Sequence, residues 1–115
     1  MPSFRAVQEI SDVRPGHAPD EVLAAAVRAC EASGHTVESR DLDVIAGRAR
    51  IWIRYTVTDS SDHEEDLEAW EVAEAVCASV RGVAFAGVAQ VFRRIGGRWA
   101  HVARQAQSPG SGSLS

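Results

Sequence analysis

The longest regular pattern in the chain covers residues 48–58. Ala49, Ile51, Ile53, Tyr55 and Val57 alternate there with Arg48, Arg50, Trp52, Arg54, Thr56 and Thr58. A period of two marks a β-strand, because successive strand side chains point to opposite faces of their sheet. One side is apolar and seeks a core. The other sets a tryptophan between arginines. Residues 36–45 read as a weaker strand in which Leu42 and Val44 supply the core side, and Ala46-Gly47 turns the chain between the two. A loop of two or four residues pairs Leu42 with Ile51 and Val44 with Ala49, so Asp43 faces Arg50 and Asp41 faces Trp52. An odd loop would mix the apolar and polar faces. Asp43 is therefore expected to neutralise Arg50.

The other elements follow from their own periods. Residues 4–10 form a less regular strand. After the Pro15-Gly16 loop, Pro19 suits a first helical position, and Val22, Leu23, Ala26, Val27 and Cys30 line one helix face before Gly34 ends it. Ser61 and Glu64 match a capping box, with Ser61 capping the Glu64 amide and Glu64 reaching back. The helix they open is expected to run to about Arg81, with Leu67, Trp70, Ala73, Val76, Cys77 and Val80 on its buried side. Residues 83–94 and 98–104 then form a hairpin about Gly96-Gly97. Its register places Phe85, Ala89, Val91 and Val102 on one face, and Val88, Phe92, Arg94, Trp99 and His101 on the other.

The order βαββαββ, with one apolar face per helix, predicts an α+β fold. It is a ferredoxin-like βαββαβ(β) sandwich: an antiparallel sheet with two helices on one face and an extra C-terminal hairpin strand. The expected strand order is 2-3-1-4-5. The helices should cover Ile51, Ile53, Tyr55, Val91 and Val102. No predicted element remains for the opposite face, which bears Arg50, Trp52, Arg54, Phe92, Arg94, Trp99 and His101.

A length of 115 residues fits one α+β domain over residues 1–105, followed by a Ser/Gly/Pro tail over 106–115 expected to be flexible. The sequence contains no apolar run long enough to span a bilayer and opens without the apolar stretch of a signal peptide, so the expected location is cytoplasmic, with no membrane partner. All 12 basic residues are arginine, a bias that high-GC coding explains and that fits a high-GC bacterium or its phage. Residues 59–74 carry eight acids and no Arg or Lys, whereas residues 75–115 carry five arginines and no acid. An acidic helix thus lies beside basic strands, and its acids read first as a solvated face. Cys30 and Cys77 read as buried thiols, with no neighbouring ligands at metal-binding spacing.

These features narrow the chemistry. No nucleophilic triad, zinc motif or phosphate loop is present, and no catalytic residue, metal or cofactor is expected. Interface cores favour Trp, Phe and Arg over Lys, so the uncovered face is expected to serve protein interaction or assembly. The partner would be a second copy or another protein, as in a phage structural or accessory component. Single-stranded nucleic acid is the second expectation. Residues 47–55 resemble the third-strand motif of RNA-recognition domains at Trp52, but the aromatic spacing of that motif is missing and a pI near 5.5 opposes it. The third is a small cofactor-free enzyme with a pocket near His101.

Overall fold

A computed structural model describes residues 1–104; the predicted tail lies outside the described residues. The elements are β1 (Ser3–Val13), α1 (Asp20–Ala32), β2 (Val37–Ile45), β3 (Arg48–Thr56), α2 (Asp62–Arg81), β4 (Ala84–Ile95) and β5 (Arg98–Val102). All five strands form one antiparallel sheet in the order β2-β3-β1-β4-β5. This is an α+β fold consistent with a ferredoxin-like arrangement extended by one strand.

Both hairpins obey the turn chemistry of the sequence. Ala46 and Gly47 have φ of 54° and 76°, and Gly96 and Gly97 have 53° and 84°. Two left-handed residues make the turn whose twist matches a hairpin. The two-residue loop sets the expected pairs Leu42↔Ile51, Asp43↔Arg50 and Val44↔Ala49.

The core lies between the sheet and the helices. Phe4 and Ala6 of β1, Ile51, Ile53 and Tyr55 of β3, and Ala89 and Val91 of β4 face it. Val22, Ala26 and Cys30 of α1 and Val72, Ala73, Val76 and Val80 of α2 close it. Each large side chain so enclosed stabilises the fold by about 1.5–3 kcal/mol. The buried Tyr55 hydroxyl donates to the Ala69 carbonyl at 2.7 Å, and the Trp70 indole donates to the Val102 carbonyl at 3.2 Å, tying α2 to the last strand.

Several expectations are corrected. Leu67 is only half-buried and stays outside the core, because Ala69 and Val72 take the inward positions. Leu42 and Val44 do lie on the helix side but are exposed, at the outer edge of the sheet. Phe85 does not share the face of Ala89 and Val91. β4 carries one extra residue between Ala86 and Ala89, opposite Gln8 and Ile10, which reverses the phase of the strand. Phe85 is exposed, and the Arg14 guanidinium lies 4.3 Å over its ring. The same bulge explains the buried Gln8, whose amide donates to the Gly87 carbonyl at 2.8 Å and lies 3.2 Å from Cys77 Sγ.

The start of α2 also differs from the expected box. Ser61 accepts from the Glu64 amide at 3.2 Å, but the returning carboxylate is that of Glu65, which accepts from the Ser60 amide at 2.8 Å. Glu65 is buried and faces Arg93 of β4. Arg93 also donates to Asp66 at 3.1 Å and to Asp62 at 3.3 Å. Part of the acidic helix is therefore an internal clamp rather than a solvated face.

Candidate functional site: an arginine–tryptophan sheet face

The side of the sheet away from the helices is covered by no other element among the described residues. Strand register collects its side chains. Arg5 of β1 stands opposite Arg54 on one neighbour and Phe92 on the other, Val7 opposite Trp52, and Glu9 opposite Arg50. Phe92 in turn pairs with His101, and Arg94 with Trp99. Arg50, Trp52, Arg54, Phe92, Arg94, Trp99 and His101 thus share one face, as their alternation predicted.

The residue that organises the face is Arg5. Its guanidinium lies 4.1 Å from the Trp52 ring centroid and 4.5 Å from that of Trp99. Arg94 and Arg54 approach Trp99 at 5.3 and 5.4 Å. A cation over an indole gains about 0.5–1 kcal/mol at an exposed site and more when desolvated. The stack joins β3, β1 and β5 across the sheet. Trp52, Trp99 and Phe92 are consequently half-buried, partly by arginine stems and heads. Phe92 meets the exposed His101 edge-on, with centroids 5.6 Å apart. His101 has no carboxylate partner among the described residues.

Arginines and carboxylates are unevenly paired on this face. Burial, followed by the nearby Arg54 charge, lowers the Arg5 pKa; Asp43 opposes the shift and Arg94 adds to it. Asp43 does not form the expected ion pair with Arg50: its carboxylate instead accepts from the Trp52 indole at 3.2 Å. Glu38 lies 3.0 Å from Arg54 Nε, and Glu9 lies 3.5 Å from Arg48. Glu9, Glu38 and Asp43 thus each have a side-chain neighbour and Asp41, opposite Trp52, accepts from the Leu42 amide at 2.8 Å, whereas Arg5, Arg50 and Arg94 have no carboxylate within ion-pair distance among the described residues. The Nε atoms of Arg5, Arg50 and Arg54 are all buried without a hydrogen bond among the described residues, and only that of Arg54 has a carboxylate, Glu38, within ion-pair distance. A depression of about 180 Å³ lies between Arg5, Asp43, Arg50, Trp52, Phe92 and Trp99.

Sequence reasoning found seven members of this face and missed the central one. Phe4 is fully buried on the helix side. The phase of Phe4 and Ala6 against the core was the signal that would have placed Arg5 opposite them. Among the described residues no cluster of His, Cys, Asp or Glu is placed to hold a metal, and no helix is long and apolar enough to cross a membrane.

Fold and site together define an α+β domain with a closed helix side and an open arginine–tryptophan face. Compared with models of known families, with curated proteins and with solved structures, the chain matches none.

Proposed function

We propose that the chain is a protein-interaction or assembly module that docks its partner, a second copy or another protein, through the open sheet face. The observation that carries this reading is the Trp52–Arg5–Trp99 stack on a side of the sheet that nothing in the described chain covers. Half-buried tryptophan, phenylalanine and arginine are the residues that dominate interface cores. They are prepaid in entropy here, since the stack already fixes their rotamers.

The nucleic-acid reading loses ground on the same geometry. Base stacking needs free aromatic faces, and Arg5 occupies a face of both indoles. A site-specific photo-crosslinker tests the proposal in cells of the native host. Placed at Phe92 it should trap a discrete protein, whereas placed at Glu71 on the outer side of α2 it should not. Trapped nucleic acid at position 92, or no adduct there at all, would overturn the reading.

A further inference from the structure

We infer that the partner presents an acidic segment, and that Arg5, Arg50 and Arg94 receive its carboxylates around the depression beside Trp52, Phe92 and Trp99. This rests on the docking role of the open face and names its ligand chemistry. The charges carry it. Among the described residues three guanidinium groups on the face lack a carboxylate partner, while Glu9, Glu38 and Asp43 already serve Arg48, Arg54 and the Trp52 indole and Asp41 accepts from the Leu42 amide.

The Arg5 guanidinium lies over both indole rings, and none of its N–H donors has a carboxylate partner among the described residues. That arrangement suits a planar carboxylate approaching edge-on, which can be held in a two-pronged bond. The depression, about 180 Å³, has room for a carboxylate side chain and its methylenes against Phe92. Arg5 and Arg50 each carry a buried Nε without a hydrogen-bond partner, so their charge is incompletely solvated, and an anion held by the remaining N–H groups offsets that loss.

Other occupants fit less well. A second copy docked face to face with its two-fold axis through the depression would bring the Arg5, Arg50 and Arg94 groups of both copies together, a like-charge contact that costs several kcal/mol. A nucleic-acid strand would bring a continuous line of phosphates past Glu9, Glu38 and Asp43. A short acidic segment supplies discrete charges that can avoid Glu9 and Glu38, while Asp43, which lines the depression, is already engaged by the Trp52 indole.

Calorimetry on the full chain with a short Glu/Gly peptide tests this, with the matching Gln/Gly peptide, inorganic phosphate and an oligothymidylate as comparisons. The Glu peptide should bind and weaken steeply with salt, while the Gln peptide should bind at least tenfold more weakly. Arg5→Met should reduce affinity about tenfold or more. Arg5→Lys should fail to restore it, because an ammonium has neither the stacking plane nor the fork. Circular dichroism of both variants should match the parent. Equal binding of the Gln and Glu peptides, tighter binding of oligothymidylate or of phosphate alone, or a parent that self-associates through this face and loses that state in Arg5→Met would each overturn the inference. If the peptide fails while the crosslinker at position 92 still traps a protein, the acidic partner is wrong and the docking face stands. If both fail, the face itself is wrong.

Discussion

Arg93 and Arg5 occupy adjoining strands on opposite sides of one sheet. Phe4 pairs with Arg93, and the next residue along β1, Arg5, pairs with Phe92. Arg93 turns toward the helices, where it meets Glu65, Asp66 and Asp62. Arg5 turns the other way and meets two indoles and, among the described residues, no carboxylate. The first arginine closes the fold, because the acids it needs stand on α2. The second is held in place by ring faces that satisfy its charge but not its directional donors. The contrast separates two uses of arginine: one that completes the fold, and one that leaves hydrogen-bonding capacity for a ligand.

The comparison can be broken from either side. The largest loss should come from the closed side. Phe4→Ala removes a fully buried ring between the sheet and the helices, and should cost about 3–5 kcal/mol in denaturant unfolding. Next comes Arg93→Met, which strands the buried Glu65 carboxylate, so its denaturant midpoint should fall well below that of any single change on the open side.

The same clamp has a pH signature. The Ser60 amide and then Arg93 hold the Glu65 carboxyl below its ordinary value. A carboxyl depressed in the folded state stabilises it above the unfolded value, about 4.3, and loses that contribution as pH falls through the folded value. Unfolding followed from neutral to acid pH should therefore steepen below about pH 4.3, and Glu65→Gln should flatten that limb.

Changes on the open side should be smaller in stability and larger in binding. Trp99→Ala removes a half-buried ring and three cation contacts, for roughly 1–2 kcal/mol. Arg5→Met should lie within about 0.5 kcal/mol of the parent, since it trades a stacked, desolvated charge for an apolar side chain of similar length. A loss above 3 kcal/mol for Arg5→Met would show that the stack is part of the fold rather than a feature of its surface. The smallest effect is kinetic. Burial, with a minor push from Glu31, raises the Cys30 thiol to about 11, so it should stay unlabelled by thiol reagents at neutral pH until the chain unfolds.

Much of the fold was legible because three devices agreed: the alternation at 48–58, the two-residue turns, and the one-sided helices. Together they specify the strand order and the registers of both hairpins. What escaped was whatever depended on contacts distant in sequence. The β4 bulge has no local marker beyond Gly87, so Phe85 was placed on the wrong side. Asp43 faces Arg50 as the register required, yet its carboxylate reaches the next indole, since a side chain can lean along the strand to a neighbour two residues on. Glu65 replaced Glu64 because Arg93 waits on β4, which no helix-capping pattern encodes. Arg5 was missed because the weak alternation at 4–10 left the face of Phe4 open, and with it the face of its neighbour.

The three tryptophans provide the most direct test, since they sample both sides of the sheet. Trp52 and Trp99 lie in the open-face stack, while the buried Trp70 indole bonds to Val102 beneath the helices. In a titration with the Glu/Gly peptide followed by the indole N–H resonances, those of Trp52 and Trp99 should shift together and saturate while that of Trp70 stays in place. Movement of Trp70 alone, or of all three alike, would contradict a docking surface on the open face.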